Sequence, residues 1–163
     1  MEDSSVTTKV WEALSVRLGY STAMGSTLES AVGIVIFDGE CVLCNRIIAR
    51  IARADRHAKL AFASRRSPSG AKLLAEAGAS ELAEGALVFI SSAGVQAKSA
   101  AVFAICAALG FPYSLVAFLG KLVPGALSDK VYEWVARVRI RWFGQTSECA
   151  LIPAEVRARL LKE

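Results

Sequence analysis

Two cysteines spaced as Cys41-Val42-Leu43-Cys44, directly behind a β-branched run and at the opening of a helical pattern, constrain this chain more than any other feature. The run Gly33-Ile34-Val35-Ile36-Phe37 is continuously apolar and stops at Asp38-Gly39, as a short strand buried on both faces would. From Cys41 to Arg56, Leu43, Ile47, Ile48, Ile51 and Ala54 recur at helical spacing, with Arg46, Arg50 and Arg53 on the opposite side. An amphipathic helix with those apolar residues turned inward is expected. Its basic last turn complements the negative end of the helix dipole, a cheaper account of the arginines than nucleic-acid binding.

The remaining chain supplies a sheet around that unit. Leu60 to Ala63 reads as a second strand, parallel to the first because a helix connects them. Ser67-Pro68-Ser69-Gly70 punctuates, and Ala71 to Ala77 suggests a short helix closed by Gly78. Leu87 to Ser91 and Val95 to Lys98 read as a hairpin around a three-residue loop, Ser92-Ala93-Gly94, followed by a helix from Ala100 to Leu109. The resulting order, β-α-β-α-β-β-α, is that of a thioredoxin-like α/β core. Tyr113 to Leu122, Leu127 to Phe143 and Ala154 to Leu161 read as a helical extension packed on the sheet. We therefore expect an N-terminal extension over residues 1–32, a core over 33–110 and the helical extension over 111–163.

At 163 residues the chain has room for one well-buried core, and a net charge of +4 is too small to mark a nucleic-acid binder. Residues 1 to 30 lack the basic start and apolar run of a secretory signal, which favours a cytoplasmic location. Their serines and threonines leave an organelle matrix, reached by transit-peptide removal, as the alternative; Glu2, Asp3 and the scarcity of arginine count against it. Ser99 to Gly120 carries no charge and, at ~20 residues, is long enough to cross a bilayer. Gly110-Phe111-Pro112 interrupts it, so two short buried helices are expected and no stable membrane span.

A spacing of three places both sulfurs on one side of a first helical turn, within disulfide reach. The free N–H groups and positive dipole end stabilise a thiolate at Cys41. Thiol-disulfide exchange follows: Cys41 attacks as nucleophile and Cys44, set deeper and less exposed, resolves the mixed disulfide. Asp38, at the strand end, is a candidate acceptor of the Cys44 proton, or a turn cap. Arg65 and Arg66 fall at the same sheet edge, as candidate contacts for a thiolate or an acidic substrate, or as solvated loop charges.

The expected partner is a disulfide- or dithiol-bearing protein or a small thiol, with no cofactor and no nucleic acid. The rivals are a metal-binding module built on Cys41 and Cys44, which His57, Cys106 and Cys149 are too scattered to complete, and a noncatalytic protein or membrane interaction domain. Cys106, within an apolar helix, reads as a small core residue, and Cys149 as a spare thiol or a further redox partner. Arg137, Arg139, Arg141 and Trp142 read as an amphipathic helix end with snorkelling arginines.

Phe37-Asp38-Gly39-Glu40-Cys41-Val42-Leu43-Cys44-Asn45 resembles the Asp-x-x-Cys-x-x-Cys signature of the DCC family of thiol-disulfide oxidoreductases. The likeness extends to Lys98-Ser99-Ala100-Ala101, to Pro124 and Tyr132, and from Arg139 through Trp142-Phe143-Gly144 to Cys149. It covers about residues 33 to 150. It implies a thioredoxin-like fold and dithiol redox chemistry at Cys41 and Cys44. One departure from ordinary thioredoxins is plain: their cis-proline would fall near Glu84-Gly85-Ala86, where this chain has none.

Overall fold

The computed structural model describes residues 31–83, 85–145 and 154–161. Four strands form one mixed sheet: β1 (Gly33–Phe37), β2 (Leu60–Ser64), β3 (Val88–Ser91) and β4 (Gly94–Ala97), in the order β2-β1-β3-β4. β1 and β2 run parallel, from Gly33 opposite Leu60 to Phe37 opposite Ser64, while β3 is antiparallel to both β1 and β4. Between them lie α1 (Val42–Ala54) and α2 (Pro68–Glu76); after β4 come α3 (Lys98–Leu109), α4 (Tyr113–Gly120), α5 (Gly125–Phe143) and the single turn α6 (Ala154–Arg157). The fold is the expected thioredoxin-like α/β arrangement, a sheet between helices.

The unbroken apolar run of β1 is explained by two cores. Ile34 and Ile36 join Ala61, Ala63, Val88 and Ile90 on one face, under Leu73 and Leu74 of α2. Val35 and Phe37 join Leu60, Phe62 and Phe89 on the other, under Ile48 and Ala52 of α1 and Ala101 and Ile105 of α3. Side chains alternate across a strand, so covering both faces demands apolar residues at every position. Full burial of a side chain such as Phe37 or Phe62 contributes about 2–3 kcal/mol.

Several boundaries differ from the expectations. α2 begins at Pro68, because Ser67 accepts the Gly70 N–H on its side-chain oxygen at 3.1 Å and Pro68 suits the first helical position. Gly70 is required there: a Cβ would lie 1.9 Å from the Ser64 carbonyl oxygen. The hairpin loop has two residues, Ser92 and Ala93, since Gly94 already pairs with Ser91. The buried stripe of α1 is Asn45, Ile48, Ala49 and Ala52, while Ile47 is exposed and Leu43 only partly covered. Small alanines let α1 lie close on the sheet and rotate the Leu43–Ile47 side toward α5.

The extension packs on helices more than on the sheet: α4 and α5 against α3, and α5 also against α1. Ser99 and Asp129 share a hydrogen bond and Lys98 pairs with Glu133 at 2.6 Å, tying α5 to the start of α3. After α6 the chain is no longer helical and adds to the free edge of β2, with Phe62 and Leu161 N–H groups bonded to Arg159 and Phe62 carbonyls. That covers an edge which would otherwise offer unpaired backbone groups. Arg159 anchors the segment by pairing with Asp55 at 2.8 Å.

The charge-free stretch from Ser99 does form two helices broken at Gly110, but neither is fully buried: α3 buries one face, through Ser99, Ala101 and Ile105. In α4 only Ala117 is buried. No described helix is long and apolar enough to cross a membrane.

Candidate active site

β1 ends at Phe37, and the turn Asp38–Glu40 delivers the chain to Cys41, the N-cap of α1, with φ −84° and ψ 116°. An N-cap normally uses a side-chain oxygen to accept a free backbone N–H of the first turn. Here the Cys41 Sγ takes that place and accepts the Cys44 N–H at 3.3 Å, at the positive end of the helix dipole. Asn45, 2% exposed, fastens the turn by donating from Nδ2 to the Gly39 carbonyl at 2.7 Å. Cys41, Cys44 and Cys106 are free thiols.

The expected order of exposure is reversed. Cys41 is 1% exposed, whereas Cys44 is half-buried and reaches a cavity. Beyond the thioredoxin-like core, Gly144, at φ +76°, turns the chain back after α5, and Gln145 pairs with Cys41 as an isolated bridge. A left-handed φ of this kind favours glycine. Cys149 lies outside the described residues.

Arg139 is the site residue that sequence reasoning misplaced. It is the one buried residue of α5, and its guanidinium donates from Nη1 to the Cys44 Sγ at 3.3 Å and from Nη2 to the Asp38 carboxylate at 3.2 Å. It does not snorkel to water. The available signal was spacing: Tyr132, Val135, Ala136 and Arg139 fall on one helical face, and all four line the cavity beside Cys44. Burial pushes the Cys44 thiol up from 9.0 to about 12, the hydrogen bond with Cys41 adds to the rise, and Arg139 opposes it. At neutral pH Cys44 therefore keeps its proton.

Of the two readings of Asp38, the structure shows the turn cap, and it adds two arginine partners. Its Oδ1 accepts the Glu40 N–H at 3.3 Å within the turn, and its Oδ2 stands between Arg139 and the Arg65 Nη2, the latter at 3.5 Å. Arg65 also donates to the Ala83 carbonyl at 3.1 Å, which turns it inward. Arg66 remains at the surface and pairs with Glu40 at 3.0 Å. Both arginines thus stand at the cysteine edge, each engaged with a carboxylate of the turn before Cys41.

The cavity, of about 90 Å³, has walls of Leu43, Ile47, Leu87 and Val102 besides the α5 residues, and Cys44 and Asp38 also line it. Directly after Glu84-Gly85-Ala86, where a thioredoxin would have its cis-proline, the Leu87 N–H donates to the Tyr132 hydroxyl at 2.7 Å. Burial raises the Tyr132 pKa. Cys106 on α3 is half-buried and less enclosed than expected; burial raises its pKa too. Among the described residues no three of His, Cys, Asp and Glu gather to hold a metal ion.

A mixed sheet that delivers a Cys-x-x-Cys pair to a helix N-terminus defines a thioredoxin-like protein of the dithiol class. The chain belongs to the DCC1-like thiol-disulfide oxidoreductase family, whose model matches residues 35–145. It is 33% identical over 129 residues to the uncharacterized protein YuxK of Bacillus subtilis (strain 168), covering 78% of this chain and 93% of that protein. It is 31% identical over 118 residues to the DCC family protein At1g52590, chloroplastic, of Arabidopsis thaliana, covering 72% and 69% respectively. No solved structure matches it significantly.

Proposed function

We propose that the protein is a thiol-disulfide oxidoreductase in which Cys41 carries the reactive thiolate and Cys44 resolves. The carrying observation is the asymmetry of the pair: the Cys41 sulfur accepts a helix-end N–H, while the Cys44 thiol is held protonated. The Cys41 thiolate attacks one sulfur of a substrate disulfide, forming a Cys41–substrate disulfide and releasing the other sulfur as a thiolate. Cys44 then gives up its proton and attacks Cys41; the Cys41–Cys44 disulfide forms and the substrate leaves as its second thiolate. Two electrons pass from the cysteine pair to the substrate, and the reverse sequence oxidises a dithiol.

In this scheme Arg139 stabilises Cys44 as its proton leaves, and Asp38 accepts that proton while Arg139 and Arg65 hold it in place. Arg66, at the rim, is the arginine best placed to meet an acidic group on a substrate. The apolar cavity favours a substrate that presents an apolar side chain or body beside its sulfur, such as a cysteine in a polypeptide next to Leu or Val. Entry to Cys41 requires Gln145 to move aside.

The test is titration against dithiothreitol and oxidised dithiothreitol, with thiols counted by mass spectrometry, for wild type, Cys41→Ser and Cys44→Ser. A reversible two-electron transition, lost in both variants, is expected. With cystamine, Cys44→Ser accumulates a mixed disulfide on Cys41, whereas accumulation on Cys44 in Cys41→Ser alone would reverse the two roles. No transition in the wild type would remove the redox reading altogether.

A further inference from the structure

Between Ser99 and Ser128 the chain carries one charged residue, Lys121. The helix α4 lies in this stretch and turns most of its surface to water: Phe111 just before it is 87% exposed, Phe118 is 62% exposed and Leu122 just after it is 72% exposed, with Leu115, Val116 and Leu119 also exposed. α4 packs along α3 with its small residues Ala117 and Gly120 inward, where any Cβ on Gly120 would strike the Phe103 ring. The packing thus leaves the larger side chains pointing away from the core. An isolated exposed leucine is ordinary, but a continuous run of aromatic and aliphatic side chains marks a surface that meets something apolar.

The start of α4 opens onto a hollow of about 750 Å³ of opposite character. Phe111, Pro112 and Tyr113 with Ala108 and Leu109 form one wall, and Arg50, Arg53, Arg56, His57 and Lys59 line most of the other. The single carboxylate there, Asp55, is 4% exposed and already committed to Arg159 and to the N–H groups of Lys59 and Leu60. Among the described residues, the basic side chains therefore face outward beside the apolar helix with no uncommitted carboxylate lining the hollow. A second copy of the chain seated face to face on α4 would bring its own Arg50, Arg53, Arg56 and Lys59 toward these, which like-charge repulsion opposes. A surface of phosphates over acyl chains complements both halves at once: basic side chains meet headgroups while aromatic and leucine side chains enter the boundary below.

We propose that α4 and the adjoining basic hollow form a docking surface for an anionic phospholipid bilayer, holding the protein on a membrane without crossing it. The inference does not depend on the chemistry of Cys41 and Cys44.

Flotation of the full chain with vesicles of phosphatidylcholine alone, and with vesicles in which a third of the lipid is phosphatidylglycerol, tests it. Binding to the phosphatidylglycerol vesicles alone is expected, weakening as salt rises. The partition coefficient should fall about tenfold or more in Phe111→Ser/Phe118→Ser/Leu122→Ser, and likewise in Arg50→Glu/Arg53→Glu/Arg56→Glu. All six positions are exposed, so the far-ultraviolet circular dichroism of both variants should match wild type. Absence of binding to either vesicle, or equal binding to both, would overturn the proposal. A dimeric mass by sedimentation that becomes monomeric in the apolar variant, without lipid binding, would also overturn it and assign the face to self-association.

Discussion

The Arg139 guanidinium lies 3.3 Å from the Cys44 sulfur although 95 residues separate them in the chain. The thioredoxin-like core supplies both cysteines, but a helix outside it supplies the cation that faces one of them. The same guanidinium holds Asp38, so one side chain joins the strand end, the cysteine helix and the extension.

Arg139→Leu should destabilise the fold by roughly 3 kcal/mol, because it leaves a largely buried carboxylate with only the longer Arg65 ion pair and the Glu40 N–H. Urea unfolding measures that loss. A purely structural role would stop there; the proposed electrostatic role also moves the pH profile of Cys44 alkylation to higher pH, since Arg139 lowers the Cys44 pKa. Arg139→Lys should restore part of the profile, keeping the charge while losing the two-armed geometry.

The raised Cys44 pKa carries a stability signature whose sign is fixed. Below pH 9 the thiol is protonated in folded and unfolded chains alike, and it adds no pH dependence. Between 9.0 and about 12 the unfolded chain loses the proton first, so folding stability falls as pH rises. The limiting slope is roughly 1.4 kcal/mol per pH unit. Comparing urea unfolding of wild type and Cys44→Ala across that window isolates this contribution, and equal slopes would contradict the assignment.

Gly144→Pro forces φ from +76° to a negative value and should dislodge Gln145 from Cys41. Cys41 alkylation by iodoacetamide, followed by peptide mass spectrometry, is then expected to quicken several-fold, with little change in global stability. An unchanged rate would mean that the Gln145 pairing does not limit access to Cys41.

Ala136→Phe places a ring into the cavity beside Cys44. Equilibration with dithiothreitol, a small reagent, should be retained, while reduction of a peptide disulfide flanked by leucine should slow about tenfold, the loss expected when an apolar pocket is closed to one side chain. A peptide flanked by serine should respond little. If both peptides slow equally, the cavity does not select an apolar neighbour.

Periodicity and turn chemistry are local properties, and they carried most of the architecture. β1 could be read as fully buried because Ile34, Val35, Ile36 and Phe37 leave no polar face, and the break at Gly110 because glycine tolerates the positive φ found there. The start of α2 was missed because Ser67-Pro68 reads equally as a turn or as a capped helix start. The Cys41–Cys44 pair was legible because spacing alone places two side chains on one side of a helical turn.

The sequence by itself therefore determined the strand and helix order, the cysteine pair and its seat at a helix N-terminus, all set by neighbours within a few residues. Only the tertiary structure decided that Arg139 faces Cys44 and Asp38, that Gln145 pairs with Cys41, and that α4 keeps its apolar side chains in water. Those outcomes depend on how separate helices pack: no local pattern distinguishes an arginine destined for solvent from one that a distant carboxylate draws inward, or an apolar helix that is covered from one that is left exposed.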